Sequence, residues 1–145
     1  AEGQYTLGLK YYKGEGAPQD YEEAVKWYTK SAEQGDADAQ LHLGNMYYNG
    51  EGVPEDNREA VKWYTKAAEQ GHAEAQRMVG VCYAYGLGVA KNPIEGYAWY
   101  NIAIANGNED AKENIKEIEL SPEQLIEAQS LSTEIYKRIE ASQQD

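Results

Sequence analysis

Apolar positions along the chain fall into pairs of helical stripes separated by glycine-bearing corners, and the arrangement returns every 36 residues. Leu7, Gly8 and Tyr11 come back as Leu43, Gly44 and Tyr47, then as Val79, Gly80 and Tyr83. The three- and four-residue steps set the large members on one face of a helix. A second stripe, Ala24, Trp27, Tyr28 and Ala32, returns as Ala60, Trp63, Tyr64 and Ala68. Its central segment, Val25-Lys26-Trp27-Tyr28-Thr29-Lys30, is repeated unaltered at residues 61–66 and, loosened, as Tyr97-Ala98-Trp99-Tyr100-Asn101-Ile102. Residues 1–36 and 37–72 agree at 23 of 36 aligned positions. A fixed period of this length means stacked supersecondary units and not one closed globule.

Between the two stripes of each unit lies a corner: Gly14-Glu15-Gly16-Ala17-Pro18-Gln19-Asp20, then Gly50-Glu51-Gly52-Val53-Pro54-Glu55-Asp56, then Gly86-Leu87-Gly88-Val89-Ala90-Lys91-Asn92. The first glycine suits a left-handed C-cap, the proline stops the helix, and Asp or Asn caps the next one. Gly35, Gly71 and Gly107 close the second helices, before Ala37, Ala73 and Glu109 open the next pair. Short connections make the helices antiparallel, and successive hairpins bury faces that one hairpin would leave wet. The expected fold is all-α, a right-handed α-solenoid of helix hairpins. It forms one domain over 1–145, with repeats at about 1–36, 37–72 and 73–108, followed by a partial fourth repeat and a capping helix over 109–141.

After Gly107 the pattern changes. Ala111, Ile115 and Ile118 predict a first-type helix without the glycine corner, and Leu120-Ser121-Pro122-Glu123-Gln124 predicts a capping box with proline at the first helical position. The helix that follows carries Leu125, Ala128, Leu131, Ile135 and Ile139, with Lys137 and Arg138 near its end. It suits the terminal cap that a solenoid requires. The tail from about Ser142 is expected to fray.

Charge narrows the partners. The net charge is −12 and the isoelectric point about 4.6, a balance that repels phosphate backbones and anionic lipid, so neither nucleic acid nor a membrane surface is expected. No window approaches the roughly 18 uninterrupted apolar residues of a membrane span. Phenylalanine is absent and tyrosine occurs 13 times, so much of the aromatic area carries a hydroxyl that wants a partner when packed. Cys82 is the single cysteine and cannot form an internal disulfide. The sequence opens at Ala1 without methionine and in register with the repeat, which fits a mature chain after signal-peptide removal or a chosen boundary. A periplasmic or secreted setting is favoured over a cytoplasmic one.

Chemistry finds little purchase. The Gly-x-Gly pairs sit between helices and not after a strand, so they read as corners and not as a phosphate cradle. His42 and His72 lack metal-ligand spacing, and neither Gly-x-Ser-x-Gly nor Ser-x-x-Lys occurs. Carboxylates such as Glu22, Glu23, Glu33, Asp36 and Asp38 read as a solvated face. The ladder Trp27, Trp63 and Trp99 reads as packing between hairpins ahead of a sugar-stacking platform, and Cys82 as a small buried or half-buried residue. No catalytic residue, cofactor or metal is assigned, and the protein is not expected to be an enzyme.

The motif Ala39-Gln40-x-x-Leu43-Gly44-x-x-Tyr47-x-x-Gly50-x-Gly52-Val53-x-x-Asp56-x-x-x-Ala60-Val61-x-Trp63-Tyr64-x-Lys66-Ala67-Ala68-x-x-Gly71 resembles the Sel1-like repeat family, bacterial type. This family is a close relative of the tetratricopeptide repeat with a longer glycine-bearing corner. The resemblance covers residues 1 to about 107 as three units, and the Leu-Ser-Pro-Glu-Gln helix is similar to the C-terminal ends of many bacterial members. It implies a non-catalytic superhelical scaffold that binds proteins or peptides, often in bacterial envelope, signalling or secretion settings. Some cysteine-rich bacterial relatives pin each hairpin with a disulfide and are linked to β-lactam binding, a pattern that the lone Cys82 does not carry.

In the related tetratricopeptide geometry the first helices line the concave face. Specificity is expected there, where the copies differ: Tyr5 and Leu9 in the first unit, Leu41, His42 and Asn45 in the second, and Arg77, Met78, Val81 and Tyr85 in the third, with Tyr12 and Tyr48 flanking them. These residue types are enriched at binding hot spots. Asp110, Glu113, Asn114 and Glu117 make the far end acidic, which favours a partner with a basic segment. The expected function is a protein- or peptide-binding scaffold, monomeric or weakly self-associating. The alternatives are a self-assembling structural protein and, less favoured, an envelope protein that binds or hydrolyses β-lactams or glycans.

Overall fold

In the computed structural model the described residues are 2–144; Ala1, and with it the reading of the chain's start, lies outside them. They form α1 (Glu2–Lys13), α2 (Tyr21–Glu33), α3 (Ala37–Asn49), α4 (Asn57–Glu69), α5 (Ala73–Tyr85), α6 (Pro93–Ala105), α7 (Asp110–Ile115) and α8 (Pro122–Ser142), with no strand among the described residues. The fold is therefore all-α and of the helical-repeat class. Two compact units are distinguished, one up to Ala67 and one from Ala68, so the division falls inside α4.

Local chemistry sets the helix ends. Gly50 (φ 68°) and Gly86 (φ 69°) take the left-handed conformation that a side chain disfavours, and their N–H groups donate back to the Met46 and Cys82 carbonyls. The second helices open on caps: Asp20 accepts from the Glu23 N–H at 3.2 Å, Asp56 from Arg58 and Glu59 at 3.1 and 3.2 Å, and Asn92 from Glu95 at 3.1 Å. A second cap series, which the sequence reading did not assign, opens the first helices. Asp36 Oδ1 accepts from the Ala39 N–H (3.1 Å), His72 Nδ1 from Ala75 (3.3 Å) and Asn108 Oδ1 from Ala111 (2.9 Å). His72 thus serves a backbone amide.

The hairpins are held by a tyrosine ring lying on a glycine. In the first unit Tyr28 packs on Gly8 and Tyr64 on Gly44; in the second unit Tyr100 packs on Gly80. A Cβ at any of the three glycines would come within 2.6 or 2.7 Å of a ring carbon, a distance that packed carbon atoms do not reach. All three rings are buried. Around Tyr28 lie Ala24, Ala32, Ala39, Leu43, Met46 and Trp63; around Tyr100 lie Ala103 and Ala111, with Val81, Ile104, Ile115 and Ile118 at their margin.

The three hydroxyls fare differently. The Tyr64 hydroxyl donates to Asn45 Oδ1 at 2.6 Å. At the position 36 residues earlier stands Leu9, which offers no acceptor, and the Tyr28 hydroxyl is buried without a partner among the described residues. Burial, followed by the neighbouring Tyr5 and Tyr12, pushes the Tyr28 pKa far up, and burial does the same for Tyr100. The Cys82 thiol, fully buried on α5, is pushed up to about 12 by burial.

The tryptophans grade from edge to interior: Trp27 is half-buried, whereas Trp63 and Trp99 are 7% and 4% exposed. Lys30 stands 4.6 Å over the Trp27 ring and Lys66 4.7 Å over Trp63, so the lysines that recur in the repeated segment lie over the rings as cation–π partners. Trp99 lacks them and instead donates its indole N–H to Glu95 at 3.2 Å. Two buried glutamines add a tie between a second helix and the following first helix. Gln40 donates to the Ala32 carbonyl (3.0 Å), and Gln76 donates to the Ala68 carbonyl (3.1 Å) while accepting from Asn106 (2.8 Å).

The C-terminal elements depart from the expected pattern in one respect. α7 stops at Ile115, leaving Ile118 outside it, and the Glu117 and Ile118 amides close tighter turns on the Asn114 and Ile115 carbonyls. No glycine is present to cap that end, and the residue before Pro122 is held extended, which ends helical propagation early. Ser121 and Gln124 then form both bonds of the capping box, at 3.2 and 3.0 Å. α8 packs on α6 and buries Ala128, Ile135 and Ile139. Its last turns reach the end of α4, where Arg138 binds Glu69 at 2.6 and 3.4 Å and the Gln143 amide donates to the Gln70 carbonyl.

Three outcomes follow for stability. Gly44→Ala forces its methyl group into the Tyr64 ring and should lower the unfolding free energy by about 1–3 kcal/mol in urea titration. Tyr64→Phe strips the partner from Asn45 and should cost about 1 kcal/mol, whereas Tyr28→Phe removes a hydroxyl that has none and should be neutral or stabilising; equal losses would contradict the pairing. Deleting residues 121–145 uncovers α6 and should lower the melting temperature or cause aggregation, and an unchanged temperature would refute the capping role.

Candidate protein-interaction surface

Helical spacing gathers the sequence-selected residues into stripes on the first helices. In the first unit, Tyr5, Leu9 and Tyr12 follow one face of α1, while Leu41, Asn45 and Tyr48 follow the equivalent face of α3, with His42 beside Leu41. The tyrosines, His42, Leu9 and Asn45 are half-buried, and Leu41 is buried at 8% exposure. Leu41 therefore belongs to the buried interior and not to the exposed face.

Three of these residues form one aromatic cluster with Tyr28. The Tyr5 and His42 rings stack at 5.6 Å between centroids, with the Tyr5 oxygen 3.1 Å from His42 Nε2, and His42 stacks in turn on Tyr28 at 5.3 Å. Tyr12 lies 5.2 Å from the Tyr21 ring and donates its hydroxyl to the Glu51 carboxylate at 3.1 Å. Tyr5 and Tyr12 on α1 are thus held in place by ring contacts and hydrogen bonds within the first unit. Burial, then the Asp38 and Asp36 charges, raise the Tyr5 pKa; burial, then Glu51, raise that of Tyr12. Both stay neutral phenols at physiological pH.

In the second unit, Arg77 is bound on three sides. Its guanidinium makes two bonds to the Glu74 carboxylate, at 2.9 and 2.7 Å, and a third to Asn114 Oδ1 at 3.1 Å. Asn108 also donates to Glu74, at 3.0 Å. Burial alone would raise the Glu74 pKa, but the hydrogen bonds from Arg77 and Asn108 and the charges of Arg77 and His72 outweigh it and leave the carboxyl below its usual value. Arg77 accordingly ties α5 to α7. Met78 is buried at 9% and Val81 half-buried, while Tyr85 stands 54% exposed and donates its hydroxyl to Glu117. Of the acidic far end, Asn114 holds Arg77, Glu113 pairs with Lys116 at 3.2 Å, and Glu117 holds Tyr85.

No group of three or more His, Cys, Asp or Glu side chains among the described residues is arranged to hold a metal. Among the described residues no helix is long and apolar enough to cross a membrane.

The depressed Glu74 carboxyl gives a pH dependence of known sign. A carboxylate with a folded pKa below its unfolded value contributes stability above the unfolded pKa and loses it as pH falls through the folded one. The second unit should therefore weaken as pH drops below about 4.5, the ordinary Glu value. Glu74→Gln should flatten that part of the profile in melts between pH 7 and pH 3; an identical profile would remove Glu74 from the account.

The geometry agrees with known proteins. The Sel1 repeat family model matches residues 1–36, 37–72 and 73–108, the same repeat frame as the helix hairpins. The chain is similar to the crystal structure of a Sel1 repeat protein from Oxalobacter formigenes, with 40% identity over 80% of this chain and 87% of that one and a TM-score of 0.73. It is also similar to c5321, a protective antigen of uropathogenic Escherichia coli with an SLR fold, at 35% identity and a TM-score of 0.69. That match covers 95% of this chain but 38% of the antigen. Helicobacter pylori cysteine-rich protein B shares the fold at a TM-score of 0.66 and 23% identity, over 76% of this chain and 86% of that one. No curated protein matches. Repeats of this kind are in general protein-interaction scaffolds, and on three consecutive matched repeats the chain belongs to the Sel1 repeat family.

Proposed function

We propose that the chain is a non-enzymatic scaffold that docks a protein or peptide on the first-helix faces. The observation that carries this reading is the α1 and α3 stripe of the first unit. There Tyr5, Tyr12 and Tyr48 present half-buried rings, with the buried Tyr28 ring against those of Tyr5 and Tyr12. Rigid tyrosine edges over a packed floor are the residue type and setting in which interface energy concentrates. The repeat supports the same reading from the other side. Gly44 and Tyr64, which the copies share, are consumed in packing, whereas Tyr5, which becomes the buried Leu41, and Lys13, which becomes Tyr85 two repeats on, vary between copies; Tyr12 and Tyr48, shared by the first two copies, flank these varying positions with half-buried rings. In the second unit Tyr85 contributes an exposed ring.

The test pairs a peptide array with surface variants. Tyr12→Ala with Tyr48→Ala should keep the helical circular dichroism and weaken capture of array peptides bound by the unaltered chain by roughly tenfold or more, the loss expected for hot-spot tyrosines. Undiminished capture by a folded double variant would move the site off this face.

A further inference from the structure

The acidic end of the second unit contains a small, partly open recess of about 220 Å³ lined by α5, the start and middle of α6, and the segment that ends and follows α7. Its inner wall is apolar: Ala84, Pro93, Ile118 and the buried ring of Tyr100. Its lining also includes the exposed residues Glu117, Glu119 and Tyr85 and the half-buried Asn114; Lys91 is the cation among the lining residues. The volume is below the roughly 300–1,000 Å³ of drug-sized ligand sites, so it fits one long side chain and not a folded element.

We propose that this recess is a subsite for a single arginine or lysine side chain of the docked protein segment, deepening the scaffold reading on which it rests. An aliphatic stem with a cationic head matches a pocket that is apolar within and carboxylate-rimmed outside. The lining holds two carboxylate residues and one lysine, and the chain as a whole carries 25 acidic against 13 basic residues, so the field favours a cation over an anion. The rim is also available. Glu119 makes no ion pair or hydrogen bond among the described residues, and Glu117 is occupied by the neutral Tyr85 hydroxyl, which leaves its charge uncompensated. Asn114 is held by Arg77 and acts as a fixed wall. The exposed Tyr85 ring offers a face on which a guanidinium can lie.

The probes are acetyl-Gly-Arg-Gly-amide, its lysine counterpart, and the same tripeptide with citrulline, which keeps the shape of arginine without its charge. Titrated into the whole chain and followed by amide chemical shifts in two-dimensional NMR, the two cationic peptides should move Tyr85, Asn114 and Ile118, and citrulline should not. Glu117→Gln with Glu119→Gln should weaken the arginine peptide roughly tenfold or more. Lys91→Gln should strengthen it, and raising the salt should weaken it. Equal shifts from citrulline and arginine, shifts centred elsewhere, or no response to the carboxylate variants would each overturn the subsite. The two readings separate cleanly. If array peptides still depend on Tyr12 and Tyr48 but ignore the carboxylate variants, the scaffold stands and the subsite falls; if the arginine probe binds here while the tyrosine variants change nothing, the reverse holds.

Discussion

Each hairpin of this chain depends on a tyrosine ring packed against the backbone of a helix glycine. Tyr28, Tyr64 and Tyr100 can be fully buried because Gly8, Gly44 and Gly80 present no side chain, and the two helices of each hairpin close on that contact. The constraint acts in both directions. Glycine in a helix interior carries an entropic cost of roughly 0.5–1 kcal/mol relative to alanine, and only a large packed ring can offset it. A smaller residue in place of the tyrosine would leave both the cost and a void.

Once the ring is seated, the polar groups around it have to be answered locally. The second unit does this thoroughly. Gln76 is satisfied at both ends of its amide, Arg77 uses its fork on Glu74 and Asn114, and Asn108 both caps α7 and steadies Glu74. The first unit is answered less completely, for Tyr28 has a leucine where Tyr64 has an asparagine. Buried polar networks fix a single arrangement only when every member is satisfied. Arg77 illustrates what this means for function: a residue type common at interfaces is here committed to holding two helices together.

The repeat frame, the corners, the capping box and the tyrosine and tryptophan stripes were legible because each is carried by residues near in sequence and spaced by helical geometry. The caps at Asp36, His72 and Asn108 were legible in principle, as polar residues directly after a helix-closing glycine, but a histidine in that place reads first as a metal ligand or acid–base group. Long-range choices left no local trace. Whether Arg77 faces a partner or Glu74 and Asn114 depends on where α7 lies, and the burial of Leu41 and Met78 depends on how helices lean on one another. The early stop of α7 is intermediate: the missing glycine and Pro122 were visible, yet the apolar spacing of Ile115 and Ile118 suggested a longer helix.

The solitary cysteine has a use that follows from its position. Cys82 is fully buried on α5, and burial holds its thiol almost wholly protonated at neutral pH. Thiolate is the reactive form, so an alkylating reagent in the surrounding solution can label this chain only in molecules whose second unit has momentarily opened. Labelling rate under native conditions is then a clock for that opening. A single natural atom, without any added probe, reports how often the interior of the second unit meets water.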